Sequence, residues 1–88
     1  MVSHNSHPYW WTYIVECKDG TYYTGLTYDL DNRLKTHNSG KGATYTRGRR
    51  PVTLIYSEKF STHKEAVQRE CFIKKLRRQD KKILVHSK

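Results

Sequence analysis

The sequence predicts a small α+β domain, a three-stranded antiparallel sheet flanked by helices in the order ββαβα, with a short final helix after it. Three observations carry this. Two runs of aromatic and β-branched residues, YWWTYIVEC (9–17) and TYYT (21–24), are separated only by Lys18-Asp19-Gly20. A helix-periodic segment, YDLDNRLKTHN, follows Gly25, and a Thr-x-x-Glu box at Thr62 opens a second one after a third β-branched run.

Each element has its own signal. The first two runs form a hairpin, and the loop length sets which side chains share a face. A two-residue Asp19-Gly20 turn would place Tyr13 and Tyr23 on opposite faces. A type I turn through Lys18 and Asp19, with Gly20 as the left-handed residue of a bulge, pairs 17 with 21 and 15 with 23, so both tyrosines share one face. In the next segment Asp29 is placed to cap a helix, and Leu30 and Leu34 lie one turn apart on its buried side. Arg33 and His37 have the same spacing on a neighbouring face. Residues 39–51, SGKGATYTRGRRP, are too polar for core and read as an ordered, exposed loop with room for one helical turn. VTLIY (52–56) is the third strand. A helix runs from Thr62 to about Leu76, and Gln79-Asp80 opens a short last helix ending near Val85.

A chain of 88 residues buries about two-thirds of its unfolded surface, which excludes a two-domain enzyme. The expected division is a flexible tail over 1–8, one domain over 9–78, and a short helix or tail over 79–88. Aromatic residues make up 12%, too many for a disordered basic tail. Cys17 and Cys71 lack the C-x-x-C spacing of a zinc or redox site and favour a reducing compartment. With no signal-like start and no long apolar run, the expectation is a soluble, cytoplasmic chain that avoids membranes.

The net charge is +9, from 17 Lys+Arg against 8 Asp+Glu. Arg33, Lys35, Lys41, Arg47, Arg49 and Arg50 stand in one stretch without an acid, and Arg69, Lys74, Lys75, Arg77, Arg78, Lys81 and Lys82 make a second cluster offset only by Glu70 and Asp80. Density of this order, with Tyr45 interleaved, suits a polyanion whose phosphates exchange counterions for Lys and Arg and whose bases stack on rings. Solubility alone needs neither the magnitude nor the clustering.

Among residues that could carry chemistry, Glu70 is the most informative. It lies four after Ala66 and three before Ile73, at the edge of the apolar stripe, where a carboxylate needs a partner. That partner is either a cation (Arg69, Arg33 or a loop arginine) or a metal, and patterning does not separate the two. Arg33 has the planar guanidinium of a phosphate clamp, or is a surface residue lying on Leu30 and Leu34. His37 is a proton carrier, or a helix-end cap or surface residue. Tyr13 and Tyr23 pack in the hairpin unless Arg33 and Glu70 join them. Gly40-Lys41-Gly42 is not a P-loop, and no carboxylate cluster of a two-metal site is present, so a metal nuclease here would use one ion with few protein ligands.

Taken in order, Tyr13-Ile14-Val15, Tyr23-Thr24-Gly25, Asp31-Asn32-Arg33-Leu34, His37-Asn38 and Glu70 resemble a GIY-YIG nuclease domain over roughly 9–78. The run HNSGKGATYTRGRRP (37–51) resembles that of the small standalone bacterial members, most of which lack an assigned role. The first motif reads Tyr-Ile-Val, so its tyrosine is carried over by spacing to Tyr23, and Leu26 stands where some relatives place a lysine.

The resemblance implies a divalent-metal-dependent endonuclease that hydrolyses phosphodiester bonds, in DNA ahead of RNA, with structure selectivity of the kind used in repair or recombination. It implies one Mg2+ or Mn2+ on Glu70, and Arg33 neutralising charge on the scissile phosphate. Tyr13 would help deprotonate water, Tyr23 would hydrogen-bond near the phosphate, and His37 would be an accessory acid, base or phosphate contact. Tyr13 could serve as base only if the cation and Arg33 favour its phenolate. Lys41, Tyr45, Arg47, Arg49, Arg50 and Lys74 would hold the nucleic-acid backbone. The expected protein is a monomer whose specificity is low or lent by a protein partner. The alternative is a non-catalytic nucleic-acid-binding module that keeps the fold, since charge predicts its behaviour equally well.

Overall fold

In a computed structural model, which describes residues 8–87, the first strand in sequence is the central strand of the sheet. Strand β1 (Trp10–Cys17) lies between β2 (Tyr22–Thr27) and β3 (Val52–Phe60), and both pairings are antiparallel. The helices are α1 (Leu30–Asn38), α2 (Thr44–Arg47), α3 (His63–Lys74) and α4 (Arg78–His86). The α+β class and the ββαβα order with a final helix are as expected, and the helical turn allowed for in the 39–51 loop is α2. The expected tail over 1–8 lies, Pro8 apart, outside the described residues.

The hairpin turn follows its chemistry. Gly20 has φ +84°, its N–H donates to the Cys17 carbonyl at 2.8 Å, and the Cys17 N–H donates to the Thr21 carbonyl at 2.8 Å. Val15 therefore faces Tyr23 and Glu16 faces Tyr22, the register of the three-residue loop. The left-handed backbone at position 20 costs an ordinary residue about 1 kcal/mol, which glycine avoids. Asp19 Oδ1 accepts from the Thr21 N–H and hydroxyl and closes the turn.

Burial of β1 on both faces explains its near-continuous apolar sequence. Thr12, Tyr13, Ile14 and Val15 are all buried. Tyr13, Val15 and Cys17 join Val52 beneath Leu30 and Leu34 of α1. On the other face Ile14 and Tyr56 meet Ile73 of α3, with Leu84 and Val85 of α4 against them. The caps of α1 and α3 are those the sequence proposes, whereas α4 starts at Arg78 behind Arg77 with no side-chain cap, and Gln79-Asp80 lie within its first turn instead of capping it. Asp29 Oδ1 accepts the Asn32 N–H at 3.1 Å, and Thr62 Oγ1 accepts the Glu65 N–H at 3.2 Å, each bond contributing about 1 kcal/mol.

Two strands run longer than predicted. β2 continues through Gly25 to Thr27, and β3 passes Tyr56 to Phe60, because both stay paired with β1 along its length. The polar end of β3 is held from outside, with Glu58 accepting from Arg69 Nε at 2.8 Å. At the other end of the sheet, Arg78 of α4 donates to the Gly20 carbonyl and stacks on Tyr22 at 4.6 Å, so the last helix returns to the hairpin.

Candidate active site

Tyr13, at the centre of β1, faces Gly25 of β2, and its phenol fills the space above that glycine. Its hydroxyl accepts the Arg33 Nε–H at 3.3 Å and lies 2.8 Å from His37 Nε2. Arg33 and His37 reach one oxygen because they stand one helical turn apart on α1. Tyr13 is 2% exposed and His37 is fully buried, so the reading of His37 as a cap or surface residue is corrected. The other ring nitrogen, Nδ1, is 2.9 Å from Thr46 Oγ1 on α2. Gly42 leaves room for the imidazole, since a Cβ there would come within 2.6 Å of Nδ1.

Tyr23 joins the same cluster from β2. Its ring meets His37 edge-on, with centroids 5.4 Å apart, and stacks on Tyr45 at 5.9 Å and 26°. The Arg49 guanidinium lies over the Tyr45 ring, 4.1 Å from its centroid. The loop arginines hold their own loop as well as presenting charge. Arg49 pairs with Asp19 at 3.0 Å, Arg47 Nε donates to the Gly42 carbonyl, and Arg50 Nε donates to the Arg47 carbonyl. A cleft of about 410 Å³ opens between Asn38, Arg47, Gly48, Arg50 and Pro51, and one of about 240 Å³ lies beside Arg33. Lys41 and Tyr45 are exposed on this side.

Burial sets the protonation of the cluster. It pushes the Tyr13 phenol above its ordinary 10.0, with Arg33 opposing and the charges of Tyr23 and Glu70 adding to the rise. It pushes the His37 imidazole below 6.5, helped by the Arg33 charge. The bond to Tyr13 raises Arg33 further above its already high ordinary value. At neutral pH the set is therefore a phenol, a neutral imidazole and a guanidinium. A Tyr13 phenolate, the condition for that residue to act as base on its own, is disfavoured here.

Glu70 approaches from α3, near enough that its charge opposes ionisation of Tyr13. Its side chain is 17% exposed, as expected at the edge of an apolar stripe, and Oε2 is 3.2 Å from Lys74 Nζ one turn on. The ion-pair partner is thus Lys74 rather than Arg69, Arg33 or a loop arginine, and Arg69 is held by Glu58. No group of three or more His, Cys, Asp or Glu gathers among the described residues. A hard cation that keeps most of its water needs only one or two carboxylates plus substrate phosphates. Glu70 fits that requirement, because its partner is a half-exposed ammonium that a cation can replace.

Thr46 and Gly42 belong to the site without any sequence signal for a role there, and Gly25 stands in the second motif with no role assigned to it from sequence. Their roles depend on chain segments brought together by the fold, and Thr46 looks like any polar residue of a basic loop.

Residues 9–83 match the family described as the GIY-YIG catalytic domain, and the chain belongs to this nuclease superfamily. It is 54% identical over 76 residues to the UPF0213 protein YazA of Bacillus subtilis (strain 168), covering 86% of this chain and 77% of the relative. It is also 54% identical over 72 residues to the UPF0213 protein VNG_2274C of Halobacterium salinarum, covering 82% and 94%. The fold is similar to the solution NMR structure of the UPF0213 protein BH0048 from Bacillus halodurans, with TM-score 0.61, 49% identity and coverage of 91% of this chain and 85% of that one. The solution structure of EF2693 from E. faecalis gives TM-score 0.63 and 43% identity, with coverage of 90% and 84%. No described helix is long and apolar enough to cross a membrane.

Proposed function

We propose that the protein is a divalent-metal-dependent endonuclease that hydrolyses phosphodiester bonds in structured DNA, in a repair or recombination setting. The observation that carries the reading is the convergence of Arg33 Nε and His37 Nε2 on the Tyr13 hydroxyl, within electrostatic reach of Glu70. A pure packing network has no need of a half-buried guanidinium against a buried phenol and imidazole, with a carboxylate beside them.

Glu70 would hold one Mg2+ or Mn2+, which supplies Lewis acidity at the phosphate and balances its charge. Arg33, permanently charged, neutralises the charge that develops on the non-bridging oxygens. Tyr13 takes a proton from the attacking water while passing its own to His37, so no phenolate has to form in the resting site. Tyr23 directs its hydroxyl toward the phosphate and keeps the edge of His37 fixed. The exposed faces of Lys41, Tyr45, Arg47, Arg50 and Lys74 hold the nucleic-acid backbone, and Arg49 contributes by holding the Tyr45 ring. The domain over 9–78 acts as a monomer, and a protein partner lends target choice.

The test is cleavage of a panel of single-stranded, duplex, flap and branched DNA and RNA in Mg2+ or Mn2+, with Glu70→Gln alongside. The reading expects cutting that stops in the variant while nucleic-acid affinity is kept. Tight, salt-sensitive binding with no cutting by the wild-type protein would replace it with the binding module.

A further inference from the structure

We infer that Thr46 is the positioning residue that fixes the tautomer of His37, and with it the direction in which a proton can leave Tyr13. The inference rests on the proposed hydrolysis for its consequence in catalysis, and on hydrogen-bond geometry for the tautomer itself.

Four groups form a chain, the half-buried Arg33 leading to the buried Tyr13, His37 and Thr46. Thr46 is fully buried, and its Oγ1 lies 2.9 Å from the Ala43 carbonyl and 2.9 Å from His37 Nδ1. Two oxygens at that separation repel unless a proton lies between them, and a carbonyl has none to give. The Thr46 hydroxyl therefore donates to Ala43. With its one proton committed, the hydroxyl can only accept from His37, so Nδ1 carries the imidazole proton and Nε2 carries the lone pair. Across 2.8 Å, Tyr13 then donates its O–H to Nε2 and accepts from Arg33 Nε.

The opposite tautomer satisfies fewer groups. With Nε2 protonated, the Tyr13 oxygen would accept from both His37 and Arg33, and its own proton would have no partner among the described residues. Thr46 and Ala43 would face each other oxygen to oxygen. Only one arrangement uses each proton once, and a buried network with an unmet donor is costly.

The direction matters because a base needs a lone pair where the proton arrives. In the assigned tautomer the water oxygen forms its bond to phosphorus and its proton passes to the Tyr13 oxygen. The Tyr13 proton moves to Nε2, and the resulting imidazolium keeps its Nδ1–H on Thr46. The P–O bond to the leaving oxygen breaks, and that oxygen is protonated from solvent. In the other tautomer Nε2 is already occupied and the transfer stops at Tyr13. Thr46 touches neither water nor phosphate, and it acts only through His37.

The experiment is imidazole nitrogen NMR on protein labelled with 15N-histidine, for wild type, Thr46→Val and Thr46→Ser, with cleavage rates measured on the same samples. The wild-type His37 should show a protonated Nδ1 and an unprotonated Nε2, retained in Thr46→Ser. In Thr46→Val the Nε2–H form should appear, and the cleavage rate should fall roughly a hundredfold, with Thr46→Ser restoring most of it. If the valine variant does not fold, Thr46→Cys, similar in size with a weak acceptor, makes the same comparison. A wild-type Nε2–H, or an unchanged tautomer without the Thr46 hydroxyl, overturns the inference. Absence of cleavage in wild type would instead sink the proposed hydrolysis, and the nitrogen spectra would still decide the role of Thr46.

Discussion

Gly25 stands directly opposite Tyr13 in the β1–β2 ladder, and the phenol ring occupies the space that any side chain at position 25 would need. The glycine of the second motif is thus a steric requirement of the tyrosine of the first. Gly25 is buried and its backbone is extended, so close approach and not backbone freedom demands glycine here.

Replacing Gly25 by alanine should destabilise the protein by about 1–3 kcal/mol, the usual cost of forcing extra volume into a packed place. It should also move the Tyr13 hydroxyl off His37. Urea unfolding reads the first effect and the His37 nitrogen spectrum the second. Full stability together with an unchanged spectrum would show that the ring has somewhere else to go.

The site contributes to the pH dependence through two of its shifted groups, His37 and Tyr13. His37 titrates below 6.5 in the folded chain, so between its folded value and 6.5 the unfolded state binds more protons, and stability rises with pH through that window. Tyr13 titrates above 10.0 when folded, so above pH 10.0 the unfolded state binds fewer protons and stability falls. Unfolding free energy should therefore level between the two. The cleavage rate should share the acidic limb, because a protonated His37 cannot receive the Tyr13 proton. His37→Asn should remove the limb from both profiles, and a limb that survives in the variant would assign it to another group.

Arg47 and Arg50 line the cleft beside α1, whereas Arg49 is spent on Asp19 and Tyr45. The double change of Arg47 and Arg50 to Ala should lower the salt slope of duplex binding by about two phosphate equivalents, each worth roughly 0.9 in log–log slope. Arg49→Ala should act differently, loosening Tyr45 with a smaller change in slope. Fluorescence anisotropy across a salt series separates the two outcomes, and equal slopes in all three proteins would remove the loop from the interface.

Lys74 occupies the carboxylate proposed for the metal. Lys74→Met should lower the Mg2+ concentration for half-maximal cleavage, while changing stability by no more than about 0.5 kcal/mol, the scale of a helix i,i+4 pair. A half-maximal point that moves upward would place the cation elsewhere.

Much of this was legible in the residues. Lys18-Asp19-Gly20 defined the turn, hence the common face of Tyr13 and Tyr23, and the four-residue step from Arg33 to His37 placed both on one side of α1. Strand ends were less so. Nothing in the composition of Ser57-Glu58-Lys59-Phe60 announces a strand, because its order comes from pairing with β1. The burial of His37 was hidden for a similar reason, since its partners lie 24 residues before it and nine after. The Glu70–Lys74 pair was as legible as any arginine partner, since it has the i,i+4 spacing of a helix ion pair.

A hydrolytic role for the Arg33, Tyr13 and Glu70 set is tested by single-turnover cleavage at saturating protein in Mg2+, comparing wild type with Arg33→Ala. Wild type should cut. The variant should bind the same DNA with little loss and cleave slower by roughly 10²–10³-fold, the scale of losing one donor to a developing oxyanion. Equal rates in the two proteins would contradict a role for Arg33 at the phosphate, and no cleavage by either would contradict the nuclease itself.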